Sequence, residues 1–342
     1  MIKTYFIPLF GLILILNSCG DASDKITGKR LKVSSDKNKV LMNESFTIKV
    51  NEPEGSIDSL HFPNSAPIRK KGSQSVEFNF SKPGSKRIEV IGINTTDNSK
   101  KRAFVTVNVV SGITPKQLNF EILKEINHNP ENYTQGLELV GNVLYESTGL
   151  NAKSKVVKYT YPSFKVIKEI RLDQKYFGEG LTVVGDSIYQ LTWRENVCFI
   201  YDKNLNKIGE LAIPTAEGWG LTHGNGQLFL TDGTGNLYTT DNKLGVKEIS
   251  PVYFGERVIN SLNELEYVDG KIWANVYGAD QIVRINPQTG VIDAFLDFTQ
   301  LKLRQNNKNA DVLNGIAYNP EDDTYLITGK NWDKLFLMIF TE

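Results

Sequence analysis

Glu179 is placed to move a proton. It stands in Phe177-Gly178-Glu179-Gly180-Leu181-Thr182, with Trp193 at the end of the following apolar run and Trp219 in a later copy of the same pattern. Aromatic neighbours desolvate a carboxyl group and raise its pKa, and a carboxyl so tuned exchanges protons near neutral pH. Lys330 could do the reverse, or hold a substrate carbonyl. Gln135, Asn263 and Asn314 add amide donors and acceptors. The same residues have plainer uses. Glu179 could be a solvated or capping glutamate. Trp193, Trp219 and Tyr277 could fill a core, and the amides could form turns.

What draws these residues together is a repeat. Thr134-Gln135-Gly136-Leu137-Glu138, Gly178-Glu179-Gly180-Leu181-Thr182, Gly218-Trp219-Gly220-Leu221-Thr222, Leu262-Asn263-Glu264-Leu265-Glu266 and Leu313-Asn314-Gly315-Ile316-Ala317 each open a unit. Positions 136, 180, 220, 264 and 315 are separated by steps of 44, 40, 44 and 51 residues. Each opening is followed by a turn and a second apolar run. Several short strands per unit at steps of about 40–45 residues predict propeller blades. The turns Gly141-Asn142, Gly185-Asp186, Asn225-Gly226 and Asp269-Gly270 suit hairpins with positive φ. The last unit lacks a fourth strand, and Phe120–His128 is a spare strand ahead of the first. Pairing the two would close a ring and protect both edges.

Aligning the units produces two columns. Gln135, Glu179, Trp219, Asn263 and Asn314 begin the inner strands. Gly149, Trp193, Gly233, Tyr277 and Lys330 end the strands that follow. An antiparallel hairpin sets the start of one strand beside the end of the next. Both columns are therefore expected at one mouth of a central channel. A structural role would repeat one residue type around the ring, whereas these columns hold an acid, a base, amides and aromatics. That diversity suits a small-ligand site.

The remaining features bound the possibilities. Lys plus Arg and Asp plus Glu number 39 each in 342 residues, so no basic excess points to nucleic acid. His61, His128 and His223 are too dispersed for a local zinc motif. Two cysteines make no disulfide framework, and Cys198, in Val197-Cys198-Phe199-Ile200, reads as a small core residue. Residues 1–18 have a positive start and a short apolar core, and Leu16-Asn17-Ser18-Cys19 resembles a bacterial lipobox. That resemblance implies cleavage before Cys19, lipidation of its sulfur, a tether over 19–28 and anchoring in the cell envelope, on the periplasmic side or the cell surface. Alternating runs over 29–112 predict a small immunoglobulin-like β-sandwich. Residues 113–117 read as a linker and 118–342 as a five-bladed β-propeller. The fold class is all-β.

The motifs Tyr133-Thr-Gln135-Gly-Leu, Phe177-Gly-Glu179-Gly-Leu-Thr, Leu-Thr-Trp193, Glu217-Gly-Trp219-Gly-Leu, Asn263-Glu-Leu-Glu, Ile-Trp273-Ala-Asn275-Val and Leu-Asn314-Gly-Ile-Ala with Thr-Gly-Lys330 resemble the plant and bacterial type of glutaminyl-peptide cyclotransferase. The likeness covers nearly all of 118–342 and none of 20–112. It implies a five-bladed propeller that converts N-terminal glutaminyl residues of peptides or proteins to pyroglutamyl, releasing ammonia without a metal or other cofactor. It implies pocket residues Tyr133, Gln135, Phe177, Glu179, Trp193, Trp219, Asn263, Tyr277 and Lys330. Tyr133 stands where phenylalanine is common and Tyr277 where tryptophan is common; both keep an aromatic wall. Glu179 is the expected proton shuttle, and Lys330, Asn263 and Gln135 the expected donors to the oxyanion. The rival readings are a lipid-anchored propeller that binds a peptide or carbohydrate without chemistry, and a calcium-dependent lactonase-like propeller. The second wants several axial carboxylates, and the first column has one.

Overall fold

Apolar residues alternating with polar ones, punctuated by turn dipeptides, fold into hairpins along most of the chain. The described residues of this computed structural model are 30–62, 68–69 and 74–342; the expected signal sequence, Cys19 and the tether lie outside them. Gly178–Val184 and Ser187–Thr192 show the pattern, turning at Gly185 with φ of 60°. At Asn225-Gly226 and Asp269-Gly270 both turn residues have positive φ, as the tightest hairpin turns require.

In the larger part of the chain four antiparallel sheets follow one another. They run from Thr134–Val140 to Val166–Arg171, from Gly178–Val184 to Lys207–Ala212, from Leu221–Gly224 to Val246–Pro251, and from Leu262–Val268 to Val291–Asp297. The fourth also takes in Tyr253–Phe254, Arg257–Val258 and Lys116–Gln117, the last within the stretch expected to be a linker. A further sheet has the order Asn119–Asn127, Lys334–Thr341, Thr324–Gly329, Leu313–Asn319. The spare early strand thus supplies the missing fourth member, in a register running from Asn119 opposite Thr341 to Asn127 opposite Lys334.

The inner strands Thr134–Val140, Gly178–Val184, Leu221–Gly224, Leu262–Val268 and Leu313–Asn319 contact one another in cyclic order, and the last touches the first to complete the circuit. The apolar core lies between sheets. Tyr145 and Val156 pack with Leu181 and Ile188; Leu191 and Cys198 with Leu221 and Leu228; Leu237 with Leu265 and Ile272. Trp273 and Ile282 pack with Ile316 and Phe336, and Leu326 and Leu335 return to Leu137 and Leu144. Cys198 is fully buried, and burial pushes its thiol up to about 12, which fits a packing role.

The recurring glycine of the inner strands has a steric cause. A Cβ at Gly136 would lie 2.4 Å from the Leu181 nitrogen, and one at Gly220 only 1.9 Å from the Asn263 carbonyl oxygen. Backbones crowd at the centre too closely for a side chain. Where the repeat carries Glu264 instead, its buried carboxyl accepts the Leu137 N–H at 3.2 Å and the Ile316 N–H at 2.9 Å. It ties the first and last inner strands together.

The N-terminal part forms two sheets. One has the order Val33–Ser35, Phe46–Val50, Gln74–Phe78. The other has the order Lys39–Leu41, Ser99–Val110, Gly84–Asn94, Ser59–His61, Ile68–Arg69. Ile48, Val50, Leu60, Val90 and Val107 are buried, in keeping with the alternation of their strands. Contacts divide the chain into two compact units, one built on Phe46–Phe78 and Lys86–Val107 and the other on Asn108–Glu342 with two short earlier segments. No helix among the described residues is long and apolar enough to cross a membrane.

Candidate active site

Hairpin register brings the two sequence columns together. Thr134 lies opposite Thr148, Gly178 opposite Thr192, Leu262 opposite Val276 and Leu313 opposite Gly329. The next residue on each inner strand is Gln135, Glu179, Asn263 or Asn314. Across from them, Gly149, Trp193, Tyr277 and Lys330 donate their N–H groups to the carbonyls of Tyr133, Phe177, Ser261 and Val312, two residues earlier on the inner side of each hairpin, so both columns come to the same end. In all four hairpins the register breaks at the first-column residue. These irregularities are β-bulges, which re-aim a side chain out of the alternating pattern. The sequence marks them only by the glycine that follows Gln135, Glu179 and Asn314, and Asn263 is followed by Glu264 instead.

Tyr133, Gln135, Phe177, Glu179, Trp193, Trp219, Asn263, Tyr277 and Lys330 line one cavity of about 320 Å³. That is at the small end of the ~300–1,000 Å³ range of ligand pockets. Asn314 is the exception among the expected wall residues. It stands behind the wall, donating from Nδ2 to the Thr134 carbonyl at 3.0 Å and to Gln135 Oε1 at 3.2 Å. Gln135 in turn donates to Glu179 Oε1 at 3.2 Å. Asn314 therefore orients Gln135 rather than forming the surface.

Glu179 is 5 % exposed, and its Oε2 has no protein partner. Burial raises its pKa well above the usual carboxylate value; Lys330 opposes the shift, and Glu217 and Glu195 reinforce it. Lys330 is 3 % exposed. Burial lowers its pKa, while Glu179 and Asp311 pull the other way. Its ammonium lies 4.9 Å from the ring centres of both Tyr133 and Tyr277, within cation–π range. Tyr133 donates its hydroxyl to Asp311 Oδ2 at 3.2 Å. Asn263 Oδ1 is buried without a partner. The site thus holds an unsatisfied carboxylate oxygen, an unsatisfied amide oxygen and a buried amine. Such groups await a polar ligand.

The aromatic wall is held from behind. Trp193 Nε1 and Trp219 Nε1 both donate to Glu217 Oε2, at 2.9 and 3.0 Å. Arg194 Nε donates to Glu217 Oε1 at 2.8 Å, and its guanidinium stacks on Trp193 at 3.7 Å. Burial would raise the Glu217 pKa, but these donors outweigh it and hold the carboxyl below its usual value. The sequence shows Glu217 two residues before Trp219 without revealing this clamp. The second-column glycines also gain a reason. A Cβ at Gly149 would meet Phe177 at 2.4 Å, and one at Gly233 would meet Trp219 at 2.5 Å. They make room for the rings. Behind Glu179, Ser147 Oγ donates to its carbonyl at 2.5 Å and accepts from Gln190 Nε2 at 2.8 Å. Among the described residues no three His, Cys, Asp or Glu side chains are grouped as metal donors.

Residues 92–340 match the model of the glutamine cyclotransferase family. Over 222 residues the chain is 39% identical to the glutaminyl-peptide cyclotransferase of Arabidopsis thaliana, a match covering 63% of this chain and 69% of that protein. The crystal structure of Myxococcus xanthus glutaminyl cyclase superposes with a TM-score of 0.61 at 29% identity, covering 66% of this chain and 98% of that one. All nine residues that line the cavity lie within the stretch that the family model matches. This chain belongs to the glutamine cyclotransferase family.

Proposed function

We propose that this protein is a glutaminyl-peptide cyclotransferase that converts the N-terminal glutaminyl residue of peptides or proteins to pyroglutamyl and releases ammonia. The observation that carries the reading is Glu179, a buried carboxyl with an unpaired oxygen in an aromatic cavity that also holds a buried amine. The five sheets act as blades of a closed five-bladed propeller, and the cavity is the mouth of its channel. The earlier pair of sheets is an immunoglobulin-like sandwich that spaces or presents the propeller. The sandwich takes residues 29–112 and the propeller 118–342, with 113–117 joining them and Lys116–Gln117 pairing onto the fourth sheet. Cys19 carries a lipid that anchors the chain in the cell envelope.

In the reaction the substrate α-amine attacks the side-chain amide carbon. A C–N bond forms to close the five-membered ring, and the bond to the amide nitrogen breaks. The amine must shed a proton, and the departing nitrogen must gain one. Glu179 takes the first and delivers it to the second. Burial raises its pKa well above the usual carboxylate value, which makes it a stronger acceptor for the amine proton. Lys330 and the amides of Asn263 and Gln135 donate to the oxyanion of the tetrahedral intermediate. Tyr133, Phe177, Trp193, Trp219 and Tyr277 enclose the terminal residue and fold it towards cyclisation.

Glu179→Gln is expected to release no measurable ammonia from Gln-Ala while keeping the wild-type melting temperature. Full turnover by that variant removes Glu179 from the chemistry. Wild-type protein that binds the dipeptide but never releases ammonia supports a non-catalytic binding module instead. The metal-free reading predicts an unchanged rate in chelator; inhibition reversed by zinc contradicts it.

A further inference from the structure

We propose that a second cavity, beside the first, receives the peptide residues that follow the terminal glutaminyl and favours an acidic side chain there. The inference rests on the cyclotransferase reading. This cavity has a volume of about 550 Å³. Three of its wall segments continue directly from the catalytic cavity. Glu131 lies two residues before Tyr133, Leu150 follows the Gly149 that cradles Phe177, and Asn331 follows Lys330. Lys330 and Asn331, one in each lining, have Cα atoms about 3.8 Å apart, so the two hollows are neighbours.

Strand register fixes the direction. Thr148, Lys155 and Arg171 pair across three neighbouring strands of one sheet, beyond Thr134 on the inner strand. The cavity therefore extends outward along the same end of the sheet where Gln135 begins. A peptide whose first residue sits at Glu179 has a path along it, advancing about 3.3–3.6 Å per extended residue.

Charge assigns the preference. Lys153, Lys155 and Arg171 line the cavity against one acid, Glu131. Glu169 engages Lys155 at 2.9 Å and Arg171 at 3.2 Å. Lys153 is exposed and has no ion-pair partner among the described residues. It is the cation most available to an incoming carboxylate. Two of the amides there are already committed: Asn307 Nδ2 donates to the Asn331 carbonyl at 2.6 Å, and Asn331 Nδ2 to the Pro130 carbonyl at 2.9 Å.

The test compares kcat/KM, read as ammonia release, for otherwise identical Gln-peptides carrying Glu, Ala or Lys at the second, third or fourth position. In the wild type at low ionic strength, Glu is expected to exceed Lys by about fivefold at one of these positions, and salt should erase the difference. Lys153→Glu should reverse the order while turning over Gln-Ala amide, which carries no carboxylate, as before, and Arg171→Glu should weaken the preference independently. Equal rates for all three peptides in the wild type, or an unchanged order in Lys153→Glu, overturn the proposal. Failure to turn over Gln-Ala itself counts against the cyclotransferase reading, not against the groove.

Discussion

Glu217 is not a wall of the catalytic cavity, yet one of its oxygens receives both indole N–H groups of the wall. Replacing it by alanine leaves two indoles free to rotate and Arg194 without its partner. Glu217→Ala should raise KM by about tenfold, the equivalent of ~1.4 kcal/mol of lost ground-state binding, with kcat changed far less. Glu217→Gln keeps one carbonyl oxygen for the two donors and should restore most of the affinity. Because the Glu217 charge also raises the Glu179 pKa, either variant should shift the acid limb of the kcat/KM profile to lower pH. A loss confined to kcat would mean that Glu217 acts on the chemistry and not on the wall. The wall residues themselves are legible in the sequence. Gln135, Glu179, Trp193, Trp219, Asn263, Tyr277 and Lys330 line the cavity, because residue types at equivalent points of a repeat report their own divergence; Tyr133 and Phe177 lie outside the two columns and are implied by the family resemblance. Asn314 is displaced by one layer from its expected place, since a column does not distinguish a surface from what supports it. Glu217 stays hidden because a clamp between two rings leaves no periodic trace.

Buried polar groups between strands form a second layer of organisation. His128 follows the early strand of the closing sheet and donates from Nε2 to Glu146 Oε1 at 3.0 Å; its Nδ1 lies 2.9 Å from the Trp332 carbonyl. Glu146 also accepts from Thr134 at 2.8 Å, Asn132 at 2.7 Å and Tyr159 at 2.9 Å. Burial alone would lower the His128 pKa, but the facing carboxylate outweighs it and holds it raised. Burial would raise that of Glu146, but His128 and the other donors hold it lowered. The histidine contribution is complete below about pH 6.5 and fades as pH rises through the folded value. The glutamate contribution is complete above about pH 4.3 and fades as pH falls through its own. His128→Ala should therefore cost about 3–5 kcal/mol in urea unfolding between those limits, because it strands a buried carboxylate. The deficit should shrink at pH 9; one that is constant with pH would argue for packing alone. The alternating strands and their turns can be read from spacing. The bulges at Gln135, Glu179, Asn263 and Asn314 cannot, since an inserted residue looks like any other until the register is known. Short strands such as Lys39–Leu41 and Tyr253–Phe254 escape for want of length.

For the molecule as a whole, closure is the dominant constraint. Removing Lys334–Thr341 leaves Asn119–Asn127 without a partner and bares the edge of Thr324–Gly329. It also takes Phe336 and Met338 out of the core. The shortened chain should collect in the insoluble fraction, as exposed apolar edges predict. A soluble product with the wild-type melting temperature would show that the circuit of sheets does not depend on this pairing. The need for such a closing strand follows from counting strands per repeat, because an incomplete last unit and a surplus early strand answer each other.

That shared sheet also imposes an order in time. Asn127 leaves the ribosome 207 residues before its partner Lys334, and the outermost pair, Asn119 and Thr341, is separated by 222. At about 5–20 residues per second, translation leaves the early strand waiting for roughly 10–40 s. Throughout that interval the nascent protein carries an unpaired strand edge, so its production depends on keeping that edge solitary until Lys334–Thr341 arrives.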